Sequence, residues 1–360
     1  MIRSLWMLFT VALFSLGLSA QAAVVLQYHH VSEDTPPSTS VTPALFAEHM
    51  QYLEDNDFEV LPMMDVLEAL KKGESLPSRT AVITFDDAYD SVYTEAFPLL
   101  KKRDWPFTVF VNTNPIDAGR RGFVTWEQMR DMAEHGGTIA NHTADHTFMP
   151  RLRDGESRAQ WRERITDELM VAEKRIEEET GQSVKVLAYP YGEYDNHVKD
   201  LLGDLGFIGF AQNSGAIASH SDFLALPRYP FGGVFGAMDD FRTKANSLAM
   251  PVTDVRRYQD ETRRKAFDDV VVPAGSRPVL VLELEDASIA GRINCFASRQ
   301  GAIKTEVVDG TTLVAIANEP LSPGRVQYNC TAGSSERGRF YWQSQQWLVT
   351  DKDGNWVHQN

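Results

Sequence analysis

Short apolar segments typical of buried strands alternate with amphipathic helix patterns from Val24 to Phe231. The segments "AVVLQYHHV", "TAVITF" and "PFTVFVNT" are separated by stretches whose apolar residues recur with helical spacing. Repeated β–α units with short loops form a mostly parallel sheet, either open or closed into a barrel. We therefore predict an α/β fold for residues 23–250, with any chemistry at the carboxyl ends of the strands.

The last part of the chain differs in character. The charged segment "DVRRYQDETRRKAFDD" predicts a helical linker over residues 251–275. Residues 276–360 contain about six short strand-like segments, with Asp309-Gly310 as a hairpin turn, and predict a small C-terminal all-β domain resembling a sandwich. The aromatic residues of "RFYWQSQQWLV" are interpreted as the core of that domain. The alternative is a surface that stacks on sugars.

The first 22 residues have the pattern of a secretory signal peptide. Arg3 precedes an apolar stretch, Leu5–Leu18, and Ala20-Gln21-Ala22 forms a small-x-small cleavage site. The alternative, an uncleaved membrane anchor, is less favoured because the apolar run is short for a span. We expect an exported protein, periplasmic or secreted, with no membrane span after cleavage.

Export bears on the two cysteines of the chain, Cys295 and Cys330. An oxidising compartment favours a disulfide between them over two free thiols. In the chain-entropy model, closing this loop stabilises the fold by about 3–4 kcal/mol. A metal site is not favoured, because neither cysteine lies in a CxxC motif or near a histidine.

Two polar clusters follow predicted strands and carry the candidate chemistry. Asp86 and Asp87 follow "TAVITF". Burying two adjacent carboxylates is unfavourable, because they repel one another and each loses its hydration. His142 and His146 lie in "NHTADH"; alone, such a pair is more often a surface or capping feature. Two imidazoles and one carboxylate form an open three-ligand metal site, and the second aspartate can then act as the base. The residues themselves leave open which aspartate has which role.

Three motifs then resemble a known family. "TFDD" (Thr84–Asp87), "HTADH" (His142–His146) and "YPYG" (Tyr189–Gly192), in this order, look like the first three motifs of the polysaccharide deacetylases with a NodB-homology domain. The resemblance covers about Val24 to Phe235. It implies a distorted (β/α) barrel that removes N-acetyl, or sometimes O-acetyl, groups from sugar polymers.

The resemblance also implies roles for particular residues. Asp86 would be the general base, and Asp87, His142 and His146 would bind a divalent transition metal, with Zn²⁺ favoured over Co²⁺ or Ni²⁺. Tyr191 would offer its backbone N–H to the oxyanion. Such a reaction needs a metal that polarises the amide carbonyl and activates a water, and a fixed donor where negative charge develops.

The chain departs from the family pattern in the third motif. An arginine commonly lies two residues before the proline, but Ala188 occupies that position. Arg228, in "LPRYP" at another predicted strand end, is the candidate to orient Asp86 instead. The alternative is an ordinary surface or loop arginine.

A second departure concerns the general acid that protonates the leaving amine. The late Leu-x-His segment of the family is missing, and His220 lies in polar loop text. "QYHHV" resembles the first-strand element of circularly permuted members, including exported poly-β-1,6-N-acetylglucosamine deacetylases. His29 would then be the acid, with His30 as the other candidate of the pair, and a structural strand-end histidine is the alternative.

These observations predict an exported metal-dependent deacetylase acting on an N-acetylated, GlcNAc-containing glycan. A non-catalytic glycan-binding protein, an O-acetyl esterase and a glycoside hydrolase are the alternatives; the last needs carboxyls on opposite sides of a sugar ring. The net charge of −15 argues against nucleic acid as a partner. The polymer and the oligomeric state are left open.

Overall fold

The structure is a computed structural model that describes residues 22–264 and 266–356. The predicted signal peptide lies outside the described residues, except for Ala22, which begins the first strand. Within the described residues, no helix is both long and apolar enough to cross a membrane.

A nine-stranded sheet dominates the first two thirds of the chain. The strands of this region are β1 (Ala22–Tyr28), β2 (His30–Val31), β3 (Ser40–Val41), β4 (Glu59–Val60), β5 (Thr80–Phe85), β6 (Phe107–Val111), β7 (Gly137–Asn141), β8 (Val186–Ala188), β9 (Ile208–Phe210), β10 (Ile217–Ala218) and β11 (Tyr229–Pro230). The order is β10-β1-β5-β6-β7-β8-β9, with β11 beside β1 and β4 beside β5, while β2 and β3 pair separately. Every pairing in the large sheet is parallel except β1 with β10.

The helices follow the strands along the chain, as the predicted β–α alternation requires. They are α1 (Pro43–Asp55), α2 (Met63–Lys72), α3 (Phe97–Lys102), α4 (Thr113–Asp117), α5 (Trp126–Glu134), α6 (Arg158–Thr180), α7 (Asn196–Leu205) and α8 (Met238–Ala245). A π-helical turn, Val92–Ala96, precedes α3, and short 3₁₀ turns occupy Pro37–Thr39, Pro190–Gly192 and Gly233–Gly236. The longest of these helices is α6, which Ser157 caps with its side chain and which ends at Gly181 in a left-handed conformation.

The central strands are apolar because helices cover both of their faces. All residues of β1 and β5 are buried, and alternate residues of one strand belong to two different core clusters. Ile83 lies in one cluster and Val82 in the other. This arrangement leaves only the strand ends free for polar side chains.

The sheet curls, so that its two ends approach one another. Leu226 exchanges two backbone hydrogen bonds of 2.8 Å with Gly209 and Ala211 at β9, and Tyr229 in β11 lies opposite Leu26 of β1. The segment 226–230 therefore contacts β9 at one end of the strand order and β1 next to its other end. The molecule has an α/β fold with a curled half-barrel sheet, in which the "LPRYP" segment lies beside β1.

Two further sheets lie in the C-terminal part. Their strands are β12 (Ser247–Ala249), β13 (Val252–Tyr258), β14 (Val271–Val272), β15 (Val279–Leu284), β16 (Asn294–Ala297), β17 (Gly301–Ala302), β18 (Lys304–Val308), β19 (Thr312–Ile316), β20 (Gly324–Gly333) and β21 (Phe340–Val349), with a short helix α9 (Ala287–Ala290). One sheet has the order β12-β21-β20-β16-β17 with β14 beside β21, and the other has the order β13-β15-β19-β18. The predicted disulfide is present and joins Cys295 in β16 to Cys330, its direct neighbour in β20. The boundary of a separate C-terminal domain stays a prediction.

The predicted helical conformation of the linker over residues 251–275 is wrong. The segment contains β13, which pairs antiparallel with β15, and β14, which pairs with β21. The charged side chains suggested a helix, but the apolar β15 offers its backbone to β13, while Arg256 remains at the surface and pairs with Glu283. Pairing with a distant strand thus overrode the local pattern.

The C-terminal aromatic residues lie mainly in cores. Trp347 is fully buried and packs edge-to-face on Tyr328, with ring centroids 5.6 Å apart. Trp342 packs edge-to-face on Tyr229 of β11 at 5.5 Å and so joins the C-terminal sheets to the large sheet. A role for Trp347 in stacking on sugars is excluded by its burial.

Candidate active site

The two aspartates that follow β5 face one cavity. Neighbouring side chains of an extended strand point to opposite faces of the sheet. Here Asp87 and Ala88 adopt left-handed conformations, with φ of 69° and 58°, which interrupts the strand alternation. As a result, Asp86 and Asp87 line the same cavity together with His29, His142, His146 and Tyr191.

Three side chains in this cavity form a cluster of possible metal ligands. Asp87 Oδ1 lies 3.3 Å from the Nε2 atom of His142 and 3.3 Å from that of His146. The ligand atoms all lie within 4.8 Å of one another. The structure therefore brings the three predicted metal ligands together.

The geometry of this cluster fits a small divalent ion. Ligands that lie about 2.0–2.1 Å from a tetrahedral ion are about 3.3–3.4 Å apart, which is the separation between Asp87 and each histidine. His142 Nδ1 donates a hydrogen bond of 2.7 Å to the carbonyl oxygen of Ala188, so its Nε2 lone pair points toward the cluster. Two imidazoles and one carboxylate suit Zn²⁺, Co²⁺ or Ni²⁺ alike.

The charge state of the cluster also favours a cation. Burial opposes ionisation of Asp87, but hydrogen bonding to His142 and the charges of the nearby histidines hold its pKa well below the ordinary value. Burial and the neighbouring His142 lower the pKa of His146 to about 4, so its imidazole is neutral at physiological pH. A carboxylate and a neutral imidazole are the protonation states in which these groups bind metals.

Helix α6 holds the loop that carries the two histidines. Thr143 N donates to Asn141 Oδ1 at 2.8 Å, and Asn141 Nδ2 donates to the carbonyl of Leu169 at 2.9 Å and to Glu173 at 3.0 Å. Asp145 N donates to the carboxylate of Glu168 at 3.0 Å. The "HTADH" loop is thus anchored at both its start and its middle.

Five of the eleven non-glycine residues with positive φ among the described residues lie in or directly after the three motifs. They are Asp87, Ala88, Thr143, His146 and Tyr191. Such conformations are costly for residues with a Cβ and persist only where the surroundings impose them. Their accumulation around one cavity indicates a functional site.

Asp86 has a different environment from its neighbour. Arg228 is fully buried, and its Nη1 and Nη2 donate to Asp86 Oδ1 at 2.6 Å and to Oδ2 at 2.8 Å. Gln27 of β1 donates a further hydrogen bond of 2.6 Å to Oδ2. Burial would raise the pKa of Asp86, but the charges of Arg228 and His142 lower it below the ordinary value. Arg228 therefore contacts Asp86 as expected and is not a surface residue.

The structure separates the two histidines that follow β1. His29 lines the cavity beside the aspartates. His30 stacks on the ring of Tyr89, with centroids 3.6 Å apart, and burial lowers its pKa. His220 lies elsewhere, where it contacts the carbonyl of Met250 at 3.0 Å.

Tyr191 is held against one wall of the cavity. Its ring stacks on Phe148 with a centroid distance of 3.7 Å and an interplanar angle of 7°, and it contacts the ring of His146 at 4.4 Å. Arg151 packs on the other face of this layer, 3.6 Å from the Phe148 centroid, and forms a bidentate pair with Glu193. This wall fixes the "YPYG" turn beside the metal cluster.

Sequence reasoning missed several residues of the site. Gln27, which contacts Asp86, could have been noticed as a buried amide in an otherwise apolar strand. Phe148, Gln212 and Arg325 line the cavity, but they lie outside the motifs and carry no local signal. Arg325 comes from β20 of the C-terminal part.

Comparison with known proteins now defines the class. Residues 73–209 match the protein family described as "Polysaccharide deacetylase". Residues 73–209 thus match the family that the motifs resemble.

Particular relatives narrow this class. The chain is 26% identical over 241 residues to poly-beta-1,6-N-acetyl-D-glucosamine N-deacetylase of Escherichia coli strain K12, covering 57% of this chain and 36% of that protein. It is 25% identical over 228 residues to the protein of the same name from Staphylococcus aureus strain MRSA252, covering 58% of this chain and 78% of that protein. The chain thus spans well under half of the E. coli relative.

Solved structures are similar in fold. Streptococcus pyogenes deacetylase PplD superposes with a TM-score of 0.57 at 23% identity, covering 63% of this chain and 99% of that chain. IcaB from Ammonifex degensii superposes with a TM-score of 0.54 at 24% identity, covering 63% of this chain and 97% of that chain. At these identities the likeness concerns the fold alone.

Proposed function

We propose that this protein is an exported, metal-dependent N-deacetylase of a GlcNAc-containing polysaccharide. The observation that carries the proposal is the Asp87–His142–His146 cluster, in which Asp87 and His142 are buried and His146 is partly buried, beside Asp86 in one cavity. The relatives named poly-beta-1,6-N-acetyl-D-glucosamine N-deacetylase support the substrate class. The curled sheet is interpreted as the distorted (β/α) barrel of this family.

Asp87, His142 and His146 would hold the divalent ion, most simply Zn²⁺. The bound ion would polarise the acetamide carbonyl and make a water molecule more acidic. The protein itself holds the two histidines in place through the Ala188 carbonyl and the α6 contacts of the "HTADH" loop. Little rearrangement is then needed when the ion binds.

Asp86 is the base in this proposal. Its Oδ1 receives one hydrogen bond, from Arg228, and a carboxylate oxygen has lone pairs for more. Oδ1 can therefore take the proton that the attacking water releases. Arg228 and Gln27 fix the carboxylate and keep it ionised before the reaction.

The remaining charge changes involve two further groups. The Tyr191 backbone N–H donates to the carbonyl oxygen as negative charge develops on it. His29 gives a proton to the departing nitrogen, so that acetate and a free amine result. Histidine suits this task because its ordinary pKa of about 6.5 lets it carry and release a proton near neutral pH.

Export is proposed from the signal-peptide pattern of residues 1–22. The Cys295–Cys330 disulfide supports it, because disulfides persist in oxidising compartments. We therefore place the mature protein in the periplasm or outside the cell. Residues 276–360 are proposed as an accessory domain.

Acetate release tests the proposal. The chain should be stripped with a chelator, reloaded with Zn²⁺, Co²⁺ or Ni²⁺, and incubated with poly-β-1,6-N-acetylglucosamine, chitin oligomers and O-acetylated xylan. We expect acetate from an N-acetylated polymer, loss of activity after chelation, and recovery with metal. The Asp86→Asn variant is the matched control, because it removes the base and keeps the metal ligands.

Other outcomes favour the alternatives. Acetate from O-acetylated xylan alone would make the protein an esterase. Binding to glycans that ignores both chelation and Asp86→Asn would make it a glycan-binding protein. No acetate from any loaded preparation would overturn the proposal.

A further inference from the structure

The C-terminal sheets contribute a side chain to the active-site cavity. Arg325, the second residue of β20, lines the cavity together with Asp87, His146 and Tyr191. It lies 134 residues beyond Tyr191 in the sequence. The cavity wall is therefore completed by a part of the chain that lies outside the deacetylase motifs and beyond residues 73–209.

The contacts of Arg325 are directed at the "YPYG" turn. Its Nη1 donates one hydrogen bond to the carbonyl oxygen of Tyr191 and another, of 2.8 Å, to Oε1 of Gln212. Gln212 is itself held, because its carbonyl accepts a hydrogen bond of 3.1 Å from Gln327, also in β20. Strand β20 thus holds both Tyr191, in the turn, and Gln212, which packs against the turn.

The packing around the turn is close. Gly192 has a φ of 67°, and a Cβ added there would lie 2.6 Å from Arg325 Nη1 and 2.3 Å from Gln212 Cβ. Only glycine allows the guanidinium to approach the backbone in this way. The arginine and the glycine therefore fit one another, and the turn cannot move toward β20.

The turn needs such support because Tyr191 is strained. Its φ of 59° is unfavourable for a residue with a Cβ, and such a conformation persists only where contacts impose it. Phe148 fixes the ring of Tyr191 by stacking, and Arg325 fixes its carbonyl. The first contact thus holds the side chain of Tyr191 and the second holds its backbone carbonyl.

We propose that Arg325 is a positioning residue that holds the Tyr191 backbone so that its N–H faces the developing oxyanion. The inference rests on the proposed function, in which that N–H is the oxyanion donor. The C-terminal sheets then complete the active site rather than only enlarge the molecule. Arg325 acts on turnover through Tyr191 and makes no required contact with the glycan.

The test compares two arginines of the C-terminal part in the full chain. Arg325→Met keeps the length of the side chain and removes its donors. Arg339→Met is the matched control, because Arg339 donates to the carbonyl of Asn246 at 3.4 Å and so also joins β21 to the rest of the chain, away from the cavity. Should Arg325→Met fail to fold, Arg325→Gln replaces it in the same comparison.

We expect Arg325→Met to lower kcat by about 10- to 100-fold, as a misplaced oxyanion donor does, with KM within about threefold of the wild-type value. Metal content should equal that of the wild type, and Arg339→Met should keep kcat. Hydrogen exchange supplies a readout that does not need activity. Amides of residues 189–195 should exchange about tenfold faster in Arg325→Met, while those of residues 142–148 should not change.

Four results would overturn the inference. They are an unchanged kcat, a raised KM with kcat kept, an equal loss in Arg339→Met, and unchanged exchange in residues 189–195. If the loaded wild type releases no acetate, the proposed function fails first. If the wild type is active and Arg325→Met is equally active, this inference is rejected while the proposed function stands.

Discussion

Asp86 and Asp87 are adjacent in the sequence and line the same cavity, but they have opposite electrostatic surroundings. On the base side, Asp86 is paired with a fully buried arginine and an amide, which meet its charge inside the protein. On the ligand side, the ion-pair partners of Asp87 among the described residues are the two imidazoles alone. The first carboxylate needs no added cation, whereas the second has a neighbourhood that suits one.

This difference in electrostatic surroundings supports the proposed roles of Asp86 and Asp87, independently of any resemblance. A carboxylate whose negative charge is balanced by a fixed arginine stays ionised, and it can therefore accept a proton. A carboxylate grouped with two imidazoles, and with no arginine or lysine partner among the described residues, has the surroundings of a metal ligand. The following experiments test the contrast, beginning with the largest expected effect.

Replacing Asp87, His142 or His146 by alanine should abolish acetate release, because each variant removes one of three protein ligands. Metal content after dialysis, measured by atomic emission, should fall well below one ion per chain. Asp145→Asn is the control: Asp145 lies in the same motif but hydrogen-bonds Asn114 outside the cluster. An alanine variant that keeps full metal content and activity would show that the replaced residue is not a required metal ligand, contrary to the proposal.

Asp86→Asn should keep the metal and lower kcat by about 10³–10⁴-fold, since general-base catalysis contributes on this scale. Metal content and turnover measured on the same sample check this. Asp87→Asn is the mirror variant and should lose the metal. If the two asparagine variants behave the other way round, the assignment is reversed.

His29→Ala should lower kcat for an N-acetylated glycan by about 10²-fold or more, because the leaving amine then lacks its acid. An ester with a good leaving group needs little protonation and should be much less affected. His30→Ala is the comparison variant, since His30 does not itself line the cavity and stacks instead on Tyr89, one of its lining residues. A selective loss in His30→Ala, or equal losses on amide and ester, would contradict the role of His29.

Arg228→Met should leave Asp86 buried without its cation. Breaking such a pair from one side costs about 3–5 kcal/mol of unfolding free energy. Urea unfolding should show this loss, and kcat should fall because the base is no longer oriented. The double variant Asp86→Asn/Arg228→Met should be more stable than Arg228→Met, and equal stability would argue against a strong coupling of the two groups.

The smallest effect on chemistry is expected at the disulfide. Replacing Cys295 and Cys330 by alanine should lower the unfolding free energy by about 3–4 kcal/mol in the chain-entropy model. Since both sulfurs lie in the C-terminal core, kcat at a temperature where the variant is folded should not change. A large fall in kcat in the folded variant would mean that strain in β20 reaches Arg325.

Several features of the fold were predictable because they depend on local chemistry. Ser157 and Gly181 mark the ends of α6 through capping, and the apolar run 80–85 marks a strand buried on both faces. The strand 252–258 was not predictable, since its conformation depends on pairing with residues 279–284. The aromatic residues of β21 illustrate the same limit, because only packing distinguishes a core tryptophan from one that stacks on sugars.

The sequence by itself determined which residues could form the site. They are the two aspartates that follow β5, the two histidines that follow β7, and the histidine pair that follows β1. Parallel strands bring their carboxyl ends to one edge, so this convergence follows from order along the chain. Only the tertiary structure decided which aspartate meets Arg228, which histidine enters the cavity, and that Arg325 closes its wall. Those outcomes depend on a left-handed turn at Asp87 and on two contacts between distant parts of the chain. Arg228 lies 142 positions from Asp86, and Arg325 lies 134 positions from Tyr191. Neither the turn nor these contacts leave a local pattern in the sequence.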